Sequence, residues 1–204
     1  MKEFSIYIVT IINIFVTAIY ISLLIKKKIK PTLSMWIFFS IAVVMSLKTY
    51  LSEGNYGFLD NIMNTTDLVM VLTISVAIFI FGDKNSRFNR FEIGCLIAVL
   101  LIVIFWIFTK NHKLSNLLIQ GIMVIAYFPV LRSVIVKKEH NEPIVVWIGM
   151  LVAPFFALIS SKGLLASIYS IRAIVCVGVL LILMLRIEFL SRKLEKSKEV
   201  LVDK

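Results

Sequence analysis

Phe91-Glu92-Ile93-Gly94-Cys95-Leu96-Ile97-Ala98-Val99-Leu100-Leu101-Ile102-Val103-Ile104-Phe105-Trp106-Ile107-Phe108 is an apolar run with one charge near its start and none after it until Lys110. A helix needs roughly 20 largely apolar residues to cross a bilayer, and this stretch has no polar face to turn toward water. Three long apolar stretches precede it, Ser5 to Ile25, Leu33 to Tyr50 and Ile62 to Phe81. Three follow it, Ser115 to Val136, Pro143 to Ser160 and Leu164 to Phe189. The segments between them are short and rich in charged and turn-forming residues, as tight loops between spans would be. The expected fold class is an all-α membrane protein of seven transmembrane helices.

The composition agrees with that reading. The 204 residues are 60% hydrophobic and 17% charged, with a mean hydropathy of +0.97, where an ordinary soluble domain is about half apolar and a quarter charged. Seven spans leave no room for a soluble domain, so no enzyme is expected. The net charge of +10 falls in short clusters between apolar runs and forms no continuous basic face, which argues against a nucleic-acid partner. Cys95 and Cys176 both lie inside apolar runs, where buried thiols are expected and a disulfide framework or thiolate metal site is not. No metal or cofactor is expected. The first run has no charged leader or small-residue cleavage site before or after it, so it is expected to remain as a helix.

Assigning alternate loops to opposite sides places the clusters Lys26 to Lys30, Lys84 to Arg90, Arg132 to Lys138 and Arg186 to Lys204 together. The other side receives Lys2, Lys48, Lys110, Lys113 and Lys162. The split is 16 to 5, with Arg172 inside a span, and the positive-inside rule reads the richer side as cytoplasmic. The N-terminus is then outside and the C-terminus inside, which requires an odd number of spans. The expected location is the plasma (inner) membrane, multi-pass, with lipids as the first partners. Ser191 to Lys204 reads as a mixed-charge extension of the last helix, solvated or in contact with anionic lipid.

The chain also repeats itself. Asn13 and Tyr20 in span one match Gln120 and Tyr127 in span five, an amide and a tyrosine seven residues apart on one helical face. Each span is followed by a lysine cluster and then by a proline and a tryptophan that open the next, Pro31 with Trp36 and Pro143 with Trp147. Asn64 and Asp67 in span three match Tyr169 and Arg172 in span seven, three apart in both. The expected organisation is a first three-helix bundle over 1–82, a connector helix over 83–113, and over 114–204 a second three-helix bundle with a short cytoplasmic tail. This is a 3+1+3 parallel repeat, an arrangement some transporter folds use.

Lys30-Pro31-Thr32-Leu33-Ser34-Met35-Trp36, Tyr127-Phe128-Pro129-Val130-Leu131-Arg132 with the downstream Lys137-Lys138 and Asn141-Glu142-Pro143, and Trp106-Ile107-Phe108-Thr109-Lys110 closing span four carry a resemblance. With them the chain resembles the SWEET and PQ-loop superfamily over most of its length, in particular its small bacterial seven-span members. That resemblance implies a secondary transporter or facilitator of a small polar metabolite, in which prolines of the first helix of each repeat act as hinges. Here Pro129 precedes Val130 where the family carries Pro-Gln, and span one holds no proline. Pro129 is the first hinge candidate and Pro154, inside span six, the second.

Ionisable groups inside a span cost about 2.5 to 3.5 kcal/mol each and normally face a bundle interior or water. Asp67 and Arg172, at matching repeat positions, are expected to be an extracellular gate or substrate clamp, or else a static ion pair, or an Arg172 that snorkels to the outer interface. Asn13, Thr17 and Tyr20 on one stripe and Gln120 and Tyr127 on another, joined by Asp67, would line a solute pathway, or would serve as interhelical hydrogen bonds. Trp36 and Trp147 read as interfacial anchors or as pocket walls.

The residue inventory removes some classes. A retinal-binding photoreceptor needs a lysine in its last span, and 164–189 has none. His112 and His140 lie in separate loops, which excludes a helical metalloprotease motif. Two readings remain. One is the carrier of a small polar solute. The other is a non-transporting membrane sensor, immunity protein or partner-binding scaffold on a carrier-like fold, since a fold does not fix a function. Self-association into a homo-oligomer is left open. Single cysteines replacing Lys28 and Lys138, in a chain with Cys95 and Cys176 changed to alanine, are expected to react with an impermeant maleimide from the same, cytoplasmic side. Labelling from opposite faces would contradict the parallel repeat.

Overall fold

A computed structural model describes residues 1–29, 31, 33–82, 90–128, 131, 135 and 143–202, excluding the side chains of 34 and 190–202. Its helices are α1 (Lys2–Ile25), α2 (Leu33–Glu53), a 3-10 turn (Phe58–Asn61), α3 (Ile62–Phe81), α4 (Arg90–Thr109), α5 (His112–Ile125), α6 (Ile144–Ser160) and α7 (Leu164–Val202). There is no strand among the described residues. Five stretches, Lys2–Ile25, Met35–Glu53, Phe58–Phe81, Arg90–Thr109 and Leu164–Phe189, are long and apolar enough to cross a membrane. The chain is a multi-pass, all-α membrane protein. Expectations placed on Pro129, Lys30, Arg132, Lys137 and Lys138 fall outside the described residues.

The surface is the reverse of a soluble protein's. In α1 the buried residues Ser5, Val9, Asn13, Val16, Tyr20 and Leu24 recur every three or four positions and so form one face. Phe4, Tyr7, Ile11, Ile14 and Phe15 stand exposed on the rest of the helix. Phe79, Phe108, Ile182 and Phe189 are exposed elsewhere. Only lipid solvates such a surface without penalty, and helices satisfy their backbone groups internally, which lipid requires. Helix ends are closed locally. Lys27 takes a left-handed φ of 54°, and the Lys28 N–H reaches Leu23 O at 2.9 Å while the Lys27 N–H reaches Leu24 O at 2.9 Å, satisfying carbonyls that end α1.

The helices pack in two matching sets. α3 lies between α1 and α2, and α7 between α5 and α6. α1 runs against α6, α5 runs against α2, and α3 meets α7 between those two seams. Exchanging α1, α2 and α3 for α5, α6 and α7 reproduces the pattern. α4 leans on α2 and α5 and buries only Cys95, Val99 and Ile102.

The two seams are built differently. On α6, Gly149, Ala153 and Ala157 recur every four residues, and small residues at that spacing let membrane helices approach closely. A Cβ on Gly149 would run into Cγ2 of Val16. Ser5 at the start of α1 bonds Ser160 Oγ at 3.0 Å and donates to Phe156 O. Ser160 in turn donates to Ala157 O, so it does not take up a carbonyl freed by Pro154, which is buried inside α6. The α2·α5 seam is polar instead. Asn116 Nδ2 donates to Ser46 O at 2.8 Å and Thr49 Oγ1 at 2.9 Å.

Gly149→Ala is expected to lower the stability of the detergent-solubilised protein by about 1 to 3 kcal/mol through overpacking. Val16→Ala in the same chain should recover much of that. Gly121→Ala, where a Cβ meets nothing within 4 Å, should be neutral or raise stability by up to about 1 kcal/mol through helix propensity. Thermal unfolding of the three variants beside the wild type checks all three statements.

Candidate functional site

Asp67 lies in the opening turns of α3 and is buried. A carboxylate at that depth survives only if its oxygens are bonded, and two neighbouring helices supply the bonds. Asn13 Nδ2 of α1 donates to Oδ1 at 3.2 Å, and the Tyr169 hydroxyl of α7 donates to Oδ2 at 2.9 Å. Asn13 Nδ2 also reaches Thr66 Oγ1 at 2.6 Å. Its other amide atom, Oδ1, is buried with no partner among the described residues.

Arg172, one turn beyond Tyr169, is the matching group on α7. Its guanidinium carbon sits 4.7 Å from the centre of the Tyr169 ring, a cation–π contact worth most where water is excluded. Nε donates to Gln120 Oε1 at 2.8 Å, and the guanidinium lies beside the Tyr127 hydroxyl. Gln120 Nε2 passes the chain on to Ser46 Oγ of α2 at 2.8 Å. With its amide oxygen facing Ser46 Oγ at 2.9 Å, Asn64 of α3 also accepts from the Leu47 N–H at 3.1 Å and donates to Val43 O at 3.2 Å. One continuous polar chain therefore links α1, α3, α7, α5 and α2 through the middle of an apolar core. That core, including Val9, Phe38, Met63, Ile119, Met123 and Ala153, draws on both helix sets.

Asp67 and Arg172 are brought together, but through Tyr169 and without a direct ion pair. The ion pairs among the described residues are those of Asp60 with Lys2 at 2.8 Å and Lys162 at 3.9 Å. Asn13 and Gln120 each join a charged group of their own helix set. The α1 and α5 stripes do not face one another, because α3 and α7 occupy the centre between them. Thr17 bonds Asn13 O within its own helix. Tyr20 packs on Trp36 with ring centres 5.1 Å apart, and Tyr127 on Trp147 at 6.4 Å, so the repeat carries a matching tyrosine–tryptophan pair in each half. Both tryptophans are half-buried, with the Trp147 Nε1 lacking a partner among the described residues.

Sequence reading passed over Ser46, Thr49 and Asn116 and placed Asn64 and Tyr169 only as repeat markers. The signal was there: Asn116 and Gln120 at i, i+4, and Ser46 and Thr49 at i, i+3, are polar pairs on one face of an apolar helix.

The turns at one end form a second cluster. Asp60 receives the Lys2 ammonium and, through its carbonyl, the Lys162 N–H at 2.9 Å. The Tyr50 hydroxyl donates to Lys162 O at 2.9 Å, and Tyr50 stacks on Tyr56 at 4.8 Å. Gly163 has φ +82°, and a Cβ there would fall 2.6 Å from Tyr56 Oη, so the turn passes over that ring only because it is glycine. Among the described residues no three His, Cys, Asp or Glu side chains are grouped to hold a metal ion. Comparison with models of known families, with curated proteins and with solved structures finds no match for this chain.

Proposed function

We propose that the chain is a SWEET-like secondary transporter or facilitator of a small polar metabolite, working by alternating access between two three-helix bundles. In this reading all seven helices span the plasma membrane, α4 connects the bundles, the N-terminus is outside and the C-terminus is cytoplasmic. The observation that carries it is the repeated packing. The α1·α6 seam has its counterpart in α5·α2, and α3 meets α7 between them, which is how two equivalent bundles around an in-line twofold axis would touch. A polar chain runs through that axis, where solute sites of repeat-built carriers lie.

The cluster of Asp60, Tyr50 and Tyr56 with Lys162 and Gly163 ties the α2–α3 turn to the α6–α7 turn, that is, one bundle to the other at the end assigned outside. The state described is closed there. Rocking that opened the outer end would have to break the Asp60–Lys162 contacts and lift Gly163 off Tyr56. A second reading, a non-transporting sensor, immunity or partner-binding scaffold, is favoured by the burial of the polar chain and its bonding to itself.

Uptake by purified protein in liposomes, screened across sugars, nucleosides, vitamins and amino acids, separates the two. The main-chain contact between Asp60 and Lys162 brings their Cα atoms within disulfide range. Asp60→Cys with Lys162→Cys, in the chain lacking Cys95 and Cys176, is therefore expected to cross-link on oxidation, stop uptake, and recover it on reduction. Uptake that persists in the cross-linked protein would rule out rocking at this end. No uptake of any class by folded protein would favour the scaffold.

A further inference from the structure

We infer that the solute is a zwitterion of the α-amino-acid type, its ammonium received by Asp67 and Asn13 and its carboxylate by Arg172. The inference rests on the carrier reading and names the substrate class of that site.

An acid and a base stand at matching repeat positions, both more than nine-tenths buried. A protein that needed them only for packing would close them into an ion pair, because each unpaired buried charge is costly. Here Tyr169 stands between them. Its hydroxyl donates to Asp67 and its ring face covers Arg172, so one neutral side chain serves a carboxylate and a cation together.

Both charges keep unused bonding capacity. A carboxylate accepts about four hydrogen bonds, and Asp67 receives two from neutral donors. Beside it is Asn13 Oδ1, 97% buried with its side chain and lacking a donor among the described residues. A buried acceptor without a donor next to a carboxylate calls for a group with several N–H bonds and positive charge. An ammonium has both properties. On the other side, Gln120 holds Nε of Arg172 and the Tyr127 hydroxyl bonds the guanidinium, so its partners are neutral and the fork that pairs with carboxylates meets none among the described residues.

Net charge points the same way. Asp67 and Arg172 cancel, so a zwitterion adds no net charge to the membrane interior, whereas a cation or an anion would. A sugar that displaced Tyr169 would leave both charges facing neutral hydroxyls. An amino acid replaces each contact of Tyr169 with a charged one.

The test uses wild-type protein in liposomes with radiolabelled glycine, leucine and phenylalanine, and competition by their N-acetyl derivatives and methyl esters. Glucose and ribose serve as charge-free probes. Uptake of at least one free amino acid is expected, with competition by its N-acetyl and ester forms weaker by about tenfold to a hundredfold, the loss of a charged hydrogen bond. Asp67→Asn should narrow the gap between the amino acid and its N-acetyl form, and Arg172→Gln the gap to its methyl ester, ratios that survive a partial loss of folded protein. Sugar uptake without amino-acid uptake would overturn the inference and leave the carrier reading standing. Amino-acid uptake indifferent to either blocked end would also overturn it. No uptake of any of these probes by monodisperse protein would overturn the inference, and no uptake of nucleosides or vitamins either would overturn the reading beneath it as well.

Discussion

The hydrogen bond from the Tyr169 hydroxyl to Asp67 is the constraint around which the rest of this protein is arranged. Away from water an unbonded carboxylate is several kcal/mol too expensive, so α7 must bring Tyr169 to α3, and α1 must bring Asn13 to the same oxygen pair. Arg172 follows one turn later, and its guanidinium needs both the tyrosine face and Gln120. Gln120 then fixes α5 against Ser46 of α2. Once Asp67 is committed to the centre, the positions of five helices are tied to it by a chain of bonds of about 2.6 to 3.2 Å.

Apolar packing could not do this alone. Lipid tails solvate leucine and isoleucine as well as another helix does, so membrane helices choose partners by close fit and by polar contacts. The two seams use one means each. Gly149, Ala153 and Ala157 admit α1 closely, and Ser46, Thr49 and Asn116 lock α2 to α5. The equivalence of the halves lies in which helices meet, while the chemistry of each meeting has diverged.

Much of the fold was legible in the sequence because the bilayer allows few solutions. Runs such as 91–108 have one stable conformation in lipid, and a turn as short as 110–111 sets α4 and α5 side by side. The charged residues of the site were legible for the same reason: Asp67 and Arg172 are conspicuous where almost everything else is aliphatic. What spacing cannot give is the partner across the interface. The face holding Asn13 could be read from α1 alone, but its meeting with Asp67 and not with Gln120 depends on α3 and α7 taking the centre. Ser46 and Thr49 were missed because serine and threonine can bond their own helix, as Thr49 does to Met45 O at 2.8 Å, and so leave no charge or bulk to notice. The cluster around Asp60 was hidden in turns. Asp60, Tyr56 and Gly163 look like ordinary loop residues until the 3-10 turn sets Asp60 beside Lys162.

The Asp67–Tyr169 bond joins the two helix sets at their centre, and its contribution can be measured without knowing any solute. A double-mutant cycle with Asp67→Asn and Tyr169→Phe, read by unfolding of the purified protein in detergent, isolates it. The bond predicts that the two changes are non-additive, with a coupling of about 0.5 to 2 kcal/mol. Additivity within about 0.3 kcal/mol would mean that α3 and α7 are held together by something other than this contact.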